Sequence, residues 1–141
     1  DRLGRWLLLK RKIQPLIGKI GFPYGKLHVG ESLQEAADRI LLNKTGLTGS
    51  LQHKGDGYIT INEDGKAVSE IFFHLFYCIA PTGHLAEAHE AGMVYWGDME
   101  ADFTQPEYLQ SMADLIRLTQ ETARDERFFT ELTYDTTTQA Q

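Results

Sequence analysis

The pattern of hydrophobic and polar residues predicts a chain that begins with a strand and a long loop. Residues 5–11 have an apolar centre, Trp6 to Leu9, with basic residues on both sides, which is typical of a strand. Residues 13–30 contain six glycines and prolines in eighteen positions. Such a density of breakers predicts a loop whose course is set by backbone geometry rather than by side-chain packing.

A helix is predicted directly after this loop. Ser32 has the character of an N-cap, and Glu35 three residues later completes a capping box. Apolar residues then recur at i, i+3, i+4, i+7 and i+8, which predicts one buried helical face made of Leu33, Ala36, Ala37, Ile40 and Leu41. Gly46 is expected to end the helix in the C′ position.

The rest of the chain is predicted to be mainly strands, followed by a second helix. Strands are expected at 47–53, 57–62, 68–80 and 93–96, with a turn at 63–66 and a loop at 81–92. Pro106 suits the first position of a helix that runs to about Arg124. Residues 126–141 form a predicted C-terminal tail, polar and frayed from Thr133 onward. This order of elements predicts an α+β fold, with helices packed on a mixed β-sheet.

Length and charge narrow the class of protein. A chain of 141 residues is sized for one domain, which we place at 1–125, and the turn-like residues 1–4 lead us to expect that the domain lacks its first strand. The net charge is −6, but residues 1–26 hold seven bases and one acid, whereas 27–141 hold seven bases and nineteen acids. The overall acidity argues against non-specific nucleic-acid binding. The basic opening segment could line an anionic site or simply face solvent.

Cysteine content and hydropathy bear on the compartment. The single cysteine, Cys78, excludes an intrachain disulfide, and a reducing, cytoplasmic location is expected. The most apolar stretch, residues 71–80, is too short to span a bilayer, so no membrane association is predicted.

His84 and His89 are five residues apart, a spacing that does not place both on one helical face, and no metal site is predicted there.

The segment from Gly25 to Leu47 resembles the Nudix box, the loop–helix–loop signature of pyrophosphohydrolases. That pattern reads Gly, five residues, Glu, seven residues, Arg-Glu-apolar, one residue, Glu-Glu, one residue, Gly-apolar. The residues that match it without a gap are Gly25, Glu31, Arg39, Leu41, Gly46 and Leu47. The resemblance implies a Nudix-type α/β/α sandwich with a mixed β-sheet, and Mg²⁺ or Mn²⁺ as the cofactor if the protein is active.

The departures from the family pattern lie on one helical face. The three helix positions that hold glutamate in the family are occupied by Ile40, Asn43 and Lys44. Their n, n+3, n+4 spacing places them together on the helix. Because Mg²⁺ is bound by oxygen ligands, usually carboxylates, this face is not expected to hold it. The box is therefore degenerate, and no cofactor is expected.

The remaining carboxylates are weaker metal candidates. Glu31 and Glu35 lie near the helix N-terminus, where the helix dipole alone accounts for acidic residues. Glu87 and Glu90, in the predicted loop after the long strand, could supply catalytic or metal-binding carboxylates from outside the box. They are the candidates for a catalytic role if hydrolysis persists.

Basic residues of the same segment lead to a different hypothesis. An ammonium group where a metal would lie can bind a phosphate directly, so Lys44, Arg39 and Lys26 are candidates for binding an anionic ligand, together with Glu31 and Tyr24. Two alternatives stay open. Lys44 could be a solvated lysine that favours the negative end of the helix dipole, and Arg39 could form an ion pair with Glu31 or Glu35.

The residues therefore support three functions. The first is a module that binds a nucleoside-diphosphate-like ligand, another phosphate-containing small molecule or a protein partner without turnover. The second is an active hydrolase of a pyrophosphate linkage that uses Glu87 and Glu90. The third is a scaffold that forms a homodimer through its sheet or its last helix and binds no small molecule.

Overall fold

The protein is an α+β chain with two helices and two sheets among the residues described by the computed structural model, which are 5–12, 18–86, 88–89, 92–98 and 100–136. In chain order the elements are β1 Trp6–Arg11, β2 Ile20–Gly21, α1 Leu33–Thr45, β3 Leu47–Glu63, β4 Lys66–Gly83, β5 Ala88–His89, β6 Gly92–Gly97, α2 Met112–Glu121 and β7 Phe128–Asp135. The predicted α+β class is confirmed. Neither helix combines the length and hydrophobicity that a membrane-spanning helix needs.

The chain divides into two compact units. The first comprises 1–52 and 77–101, and the second 53–76 and 102–141. The first unit contains α1 and a four-stranded antiparallel sheet in the order β2-β1-β6-β5. Strands β1 and β6 pair from Trp6 opposite Gly97 to Arg11 opposite Gly92. The buried apolar side chains among the described residues of this unit are Leu8, Leu9, Ile20, Ala36, Leu41, Leu47 and Val94.

The second unit contains α2, β7 and the central hairpin of the long strands β3 and β4. The sheet order is β4-β3-β7, and β7 runs parallel to β3, from Phe128 opposite Gly55 to Asp135 opposite Asn62. Asp64 and Gly65 link β3 to β4 with positive φ angles of 52° and 77°, the conformation of a type I′ turn. The predicted turn at 63–66 is confirmed. The buried apolar side chains here are Phe103, Met112, Leu115, Ile116, Phe128 and Tyr134.

Two predictions about residues 47–92 are wrong. The strands predicted at 47–53 and 57–62 are one strand, because Gly55 and Gly57 lie inside it. A Cβ atom at Gly55 would overlap the Phe128 ring, and one at Gly57 would overlap the Thr130 carbonyl oxygen. These glycines therefore permit close packing against β7 instead of ending a strand. The predicted loop at 81–92 is also interrupted, because β4 continues to Gly83 and β5 follows.

The second helix is shorter than predicted, and the predicted tail contains a strand. Residues 102–111 form turns, in which the Asp102 carboxylate accepts hydrogen bonds from Thr104 and Gln105. The Gln110 side chain bonds to both the N–H and the carbonyl of Asp135, and α2 begins only at Met112. Since β7 gains a parallel partner in β3, the residues predicted to fray are paired as far as Asp135. Residues 137–141 lie outside the described residues.

Lys54 on β3 is buried and completes the end of α2. Its side chain is only 5% exposed, and its ammonium group lies 3.2, 2.8 and 3.4 Å from the carbonyl oxygens of Thr122, Ala123 and Glu126. Thr122 is the C-cap of α2, where the carbonyls have no partner within the helix and carry a partial negative charge, and Ala123 and Glu126 lie in the segment that follows. The ammonium group donates to all three carbonyls and thereby connects β3 to the end of α2.

Replacement of Lys54 by methionine, which keeps most of the side-chain volume, is expected to lower the free energy of unfolding by about 1–3 kcal/mol, because three part-buried carbonyls lose a charged hydrogen-bond donor. Urea unfolding followed by circular dichroism measures the change. Lys66→Met, at the exposed hairpin turn, is the control and is expected to stay within about 0.5 kcal/mol of wild type. Equal stability of the two variants would contradict this role for Lys54.

Candidate functional site

Helix α1 and the loop before it form the first candidate site, and the ends of the helix are set by local hydrogen bonds. The Ser32 hydroxyl accepts from Glu35 N–H at 3.1 Å, and the Glu35 carboxylate accepts from Ser32 N–H at 3.0 Å. At the other end, Gly46 has a φ of 78° and donates its N–H to the carbonyl of Leu42. The predicted capping box and the predicted glycine stop are both confirmed.

Arg39 connects α1 to the loop through three hydrogen bonds. Its Nε atom donates to Glu31 Oε2 at 2.7 Å, and one of its terminal nitrogens donates to Glu31 Oε1 at 2.9 Å and to the Lys26 carbonyl at 2.6 Å. Glu31 Oε1 also accepts from His28 N–H at 2.8 Å. This two-point pairing matches the fork of the guanidinium to the two carboxylate oxygens. The ion pair that the sequence left as one alternative for Arg39 is the arrangement observed.

The charge on Glu31 is strongly stabilised by this arrangement. The hydrogen bond from Arg39, followed by that from the His28 backbone, lowers the pKa of Glu31 from 4.5 to about 2. The same pair raises the pKa of Arg39. Glu31 is therefore an anion throughout the physiological range, but its oxygens are already used as hydrogen-bond acceptors.

The α1 face on which the Nudix box has three glutamates carries Ile40, Asn43 and Lys44 in this chain. Ile40 packs against the loop, where a Cβ on Gly25 would lie 2.7 Å from Ile40 Cγ1. Asn43 is exposed and Lys44 is half-buried. The nearby metal candidates Glu31 and Glu35 already accept hydrogen bonds through their carboxylates. An apolar group, a neutral amide and a cation do not fit Mg²⁺ or Mn²⁺, which prefer carboxylate and other oxygen ligands.

The other candidates for ligand binding lie on the loop. Lys26 is exposed, and its backbone carbonyl is held by Arg39. Tyr24 is 44% exposed, and the Arg11 guanidinium lies 4.9 Å from the centre of its ring, as in a cation–π contact. The structure thus brings Lys26, Glu31 and Arg39 into one hydrogen-bonded group. Tyr24 is linked instead to the basic strand β1.

The candidates outside the box lie beyond what the structure describes. Glu87 and Glu90 are outside the described residues. The segment just before Glu87 is described, and Ala86 N–H donates to the carbonyl of Thr45 at 2.8 Å. A Cβ at Gly46 would also lie 2.7 Å from the His84 carbonyl oxygen. Residues 84–86 therefore lie against the C-terminal end of α1.

The structure contains a second group of polar side chains that was not predicted from the sequence. His53 and Asp56 on β3 and His74 on β4 converge, with His53 Nε2 and His74 Nδ1 at 2.6 and 2.5 Å from the same oxygen, Asp56 Oδ1. Burial alone would raise the pKa of Asp56, but the hydrogen bonds from His74 and His53 outweigh it and lower that pKa. The His74 side chain is 43% exposed and bonds from β4 to Asp56 on β3.

The signal for this group was weak in the sequence. His53 and Asp56 are three residues apart, which in a strand with strict alternation places them on opposite faces. The structure nevertheless joins them by a hydrogen bond of 2.6 Å. His74 lies on a different strand, 18 residues beyond Asp56, and a local sequence pattern does not indicate which residues of two strands lie opposite each other.

Comparison with solved structures identifies the fold. The chain is similar to the mutator MutT protein from Bacillus halodurans, with a TM-score of 0.71 and 24% identity over 94% of this chain and 83% of that one. It is also similar to a Nudix hydrolase from Nitrosomonas europaea, with a TM-score of 0.53 and 20% identity over 94% of this chain and 72% of that one. No family sequence model and no curated protein sequence matches the chain. The chain has the Nudix fold, as its resemblance to the Nudix box implied.

The Arg39–Glu31 pair predicts a specific pH dependence. Because the pKa of Glu31 is lower in the folded protein than its ordinary 4.5, the pair stabilises the loop fully above pH 4.5, and that contribution is lost as the pH falls toward 2. Arg39→Gln is expected to raise the pKa of Glu31 toward 4.5. Carbon-detected NMR titration of the Glu31 carboxyl group measures both values.

A matched control is available on α2. Arg117 pairs with Asp114 and Glu121 on the exposed side of that helix, so Arg117→Gln also removes one surface guanidinium. It is expected to leave the Glu31 titration unchanged. A wild-type Glu31 pKa near 4.5, or the same value in Arg39→Gln as in wild type, would contradict the pairing described above.

Proposed function

We propose that this protein binds a phosphate-containing small molecule of the nucleoside-diphosphate type through α1 and the loop before it, without hydrolysing the ligand. The observation that carries the proposal is the composition of the α1 face beside the loop. Ile40 packs against Gly25 there, and Lys44 lies one turn further along the same face. A cation thus stands where the resemblance implies a carboxylate for a metal.

The charges around this face favour an anion. Lys44 is half-buried, and no ion pair to it is present among the described residues. Lys26 is exposed on the neighbouring loop, and Arg11 on β1 lies over Tyr24. The Glu31 carboxylate is neutralised by Arg39 and therefore opposes an incoming phosphate less than a free carboxylate would. A phosphate at Lys44 would gain a charge-assisted hydrogen bond.

The absence of turnover is proposed from the ligand chemistry of the same face. Hydrolysis of a pyrophosphate linkage requires that the charge developing on the phosphate oxygens be neutralised and that water be activated, which is the usual role of metal ions. Ile40 supplies no donor atom, and the Glu35 carboxylate is used by the capping box. The exposed ring of Tyr24, 44% accessible, could contact the base of a nucleotide.

Binding of ADP and of inorganic pyrophosphate, measured by isothermal titration calorimetry at low salt, tests the proposal. Wild type is expected to bind, and Lys44→Ala is expected to weaken binding by about 1.5 kcal/mol or more, roughly tenfold, because a charged hydrogen bond is lost. Lys66→Ala, an exposed lysine on the β3–β4 turn, is the control and should bind as wild type does. Failure of wild type to bind either probe would contradict the proposal. Equal affinity of Lys44→Ala would remove Lys44 from the site.

The alternative is an active hydrolase that takes its carboxylates from Glu87 and Glu90. One contact favours it: Ala86, the residue before Glu87, is hydrogen-bonded to Thr45 at the end of α1. If this alternative holds, a carboxylate pair from the loop would replace the one missing from α1.

A hydrolysis panel of nucleotide sugars, dinucleotides and nucleoside triphosphates, with Mg²⁺ or Mn²⁺ against an EDTA control, separates the two functions. We expect no metal-dependent turnover from the folded protein. Metal-dependent turnover that disappears in Glu87→Gln/Glu90→Gln but persists in Glu107→Gln, an exposed glutamate of the second unit, would instead establish the hydrolase.

We also propose that the protein forms a homodimer and that it is located in the cytoplasm. A homodimer is supported by β4, a strand at the end of the β4-β3-β7 order that exposes the apolar side chains of Val68, Ile71, Phe72 and Tyr77. A measurement of the molar mass in solution decides between monomer and homodimer.

The proposed cytoplasmic location is supported by the single thiol, Cys78, which is half-buried and whose pKa is raised by that burial.

A further inference from the structure

We propose that His53, Asp56 and His74 form a binding site for a divalent transition-metal ion of the Zn²⁺ type, separate from the phosphate site on α1. The three side chains provide two imidazole nitrogens and one carboxylate oxygen, and these ligand atoms all lie within 4.8 Å of one another. Imidazole and carboxylate together favour Zn²⁺, Ni²⁺ or Cu²⁺ over Mg²⁺, which takes oxygen ligands.

The separations between the three ligand atoms are close to those found around a bound metal ion. Both imidazole nitrogens point at Asp56 Oδ1, at 2.6 Å from His53 Nε2 and 2.5 Å from His74 Nδ1. Metal–ligand bonds of about 2.0–2.2 Å hold their ligand atoms roughly 3–3.5 Å apart, so the side chains need to separate by about 1 Å. The side chains are 20%, 33% and 43% exposed for His53, Asp56 and His74, which leaves room for that movement and for water as a further ligand.

The backbone already holds the three residues in place. His53 and Asp56 belong to β3, on either side of the buried residues Lys54 and Gly55, and His74 belongs to β4. The His53 ring stacks on Phe76, with centroids 5.0 Å apart and planes 14° apart. Because two strands and a stacked ring restrict the site before an ion arrives, the entropic cost of assembling the ligands is reduced.

Arg127 controls which nitrogen of His53 is available. An Arg127 terminal nitrogen lies 3.0 Å from His53 Nδ1, and since a guanidinium only donates hydrogen bonds, Nδ1 is the acceptor. In the neutral ring the proton is then on Nε2, where it is shared with Asp56. An ion at Nε2 requires that this proton leave that atom, and the nearby positive charge also disfavours a cation. Arg127 therefore weakens metal binding.

Calorimetric titration of the chelator-treated full chain with Zn²⁺, in buffer free of phosphate, tests the site. Wild type is expected to bind one equivalent, and Asp56→Asn and His74→Ala are each expected to abolish that event. His84→Ala removes an exposed histidine outside the cluster and is expected to bind as wild type does. Co²⁺ in place of Zn²⁺ should give visible absorption typical of nitrogen and oxygen ligands, and that absorption should be lost in the same two variants.

Arg127→Gln supplies a readout that a purely structural hydrogen-bond network would not give. It is expected to bind Zn²⁺ more tightly than wild type, by about tenfold, because the variant lacks both the nearby positive charge and the guanidinium donor to His53 Nδ1. Zn²⁺ binding that survives in the Asp56→Asn/His74→Ala double variant, or no stoichiometric binding by wild type and Arg127→Gln, would overturn the proposal. Lys44→Ala should bind Zn²⁺ normally, so this site and the phosphate site fail independently.

Discussion

The pairing of Arg39 with Glu31 is the interaction on which the arrangement of the α1 site depends. A loop rich in glycine and proline has no core of its own to hold it, and its conformational entropy opposes any single arrangement. Two hydrogen bonds to Glu31 and a third to the Lys26 carbonyl fix the loop to the helix at two separate points. These hydrogen bonds hold the loop beside α1, where Ile40 packs against Gly25.

The contacts that hold the loop and helix together do not include a metal. They are the Arg39–Glu31 pair and the caps at Ser32 and Gly46. Ile40, Asn43 and Lys44 belong to the same helix but do not contribute to the pair or to the caps in the described part of the chain. The loop and helix can therefore form whatever these three positions hold, and the Nudix fold by itself does not imply hydrolysis.

Strand β3 has an equivalent role in the second unit. A short stretch of this strand takes part in two sets of contacts. Lys54 is buried and donates to carbonyls at and just after the end of α2, while His53 and Asp56 come together with His74 on β4. Residues 53–56 therefore hold both β4 and the end of α2 within the second unit.

Helix α1, its two caps and the turn at Asp64 and Gly65 could be predicted from the sequence, because each depends on residues within a few positions of one another. The match of Gly25, Glu31 and Arg39 to the Nudix box likewise anticipated the fold. The parallel pairing of β7 with β3, the late start of α2 after Gln110 and the group formed by His53, Asp56 and His74 were decided only by the tertiary structure. Each of these joins residues far apart in the chain or depends on a packed partner, and local sequence patterns carry no information about such a partner.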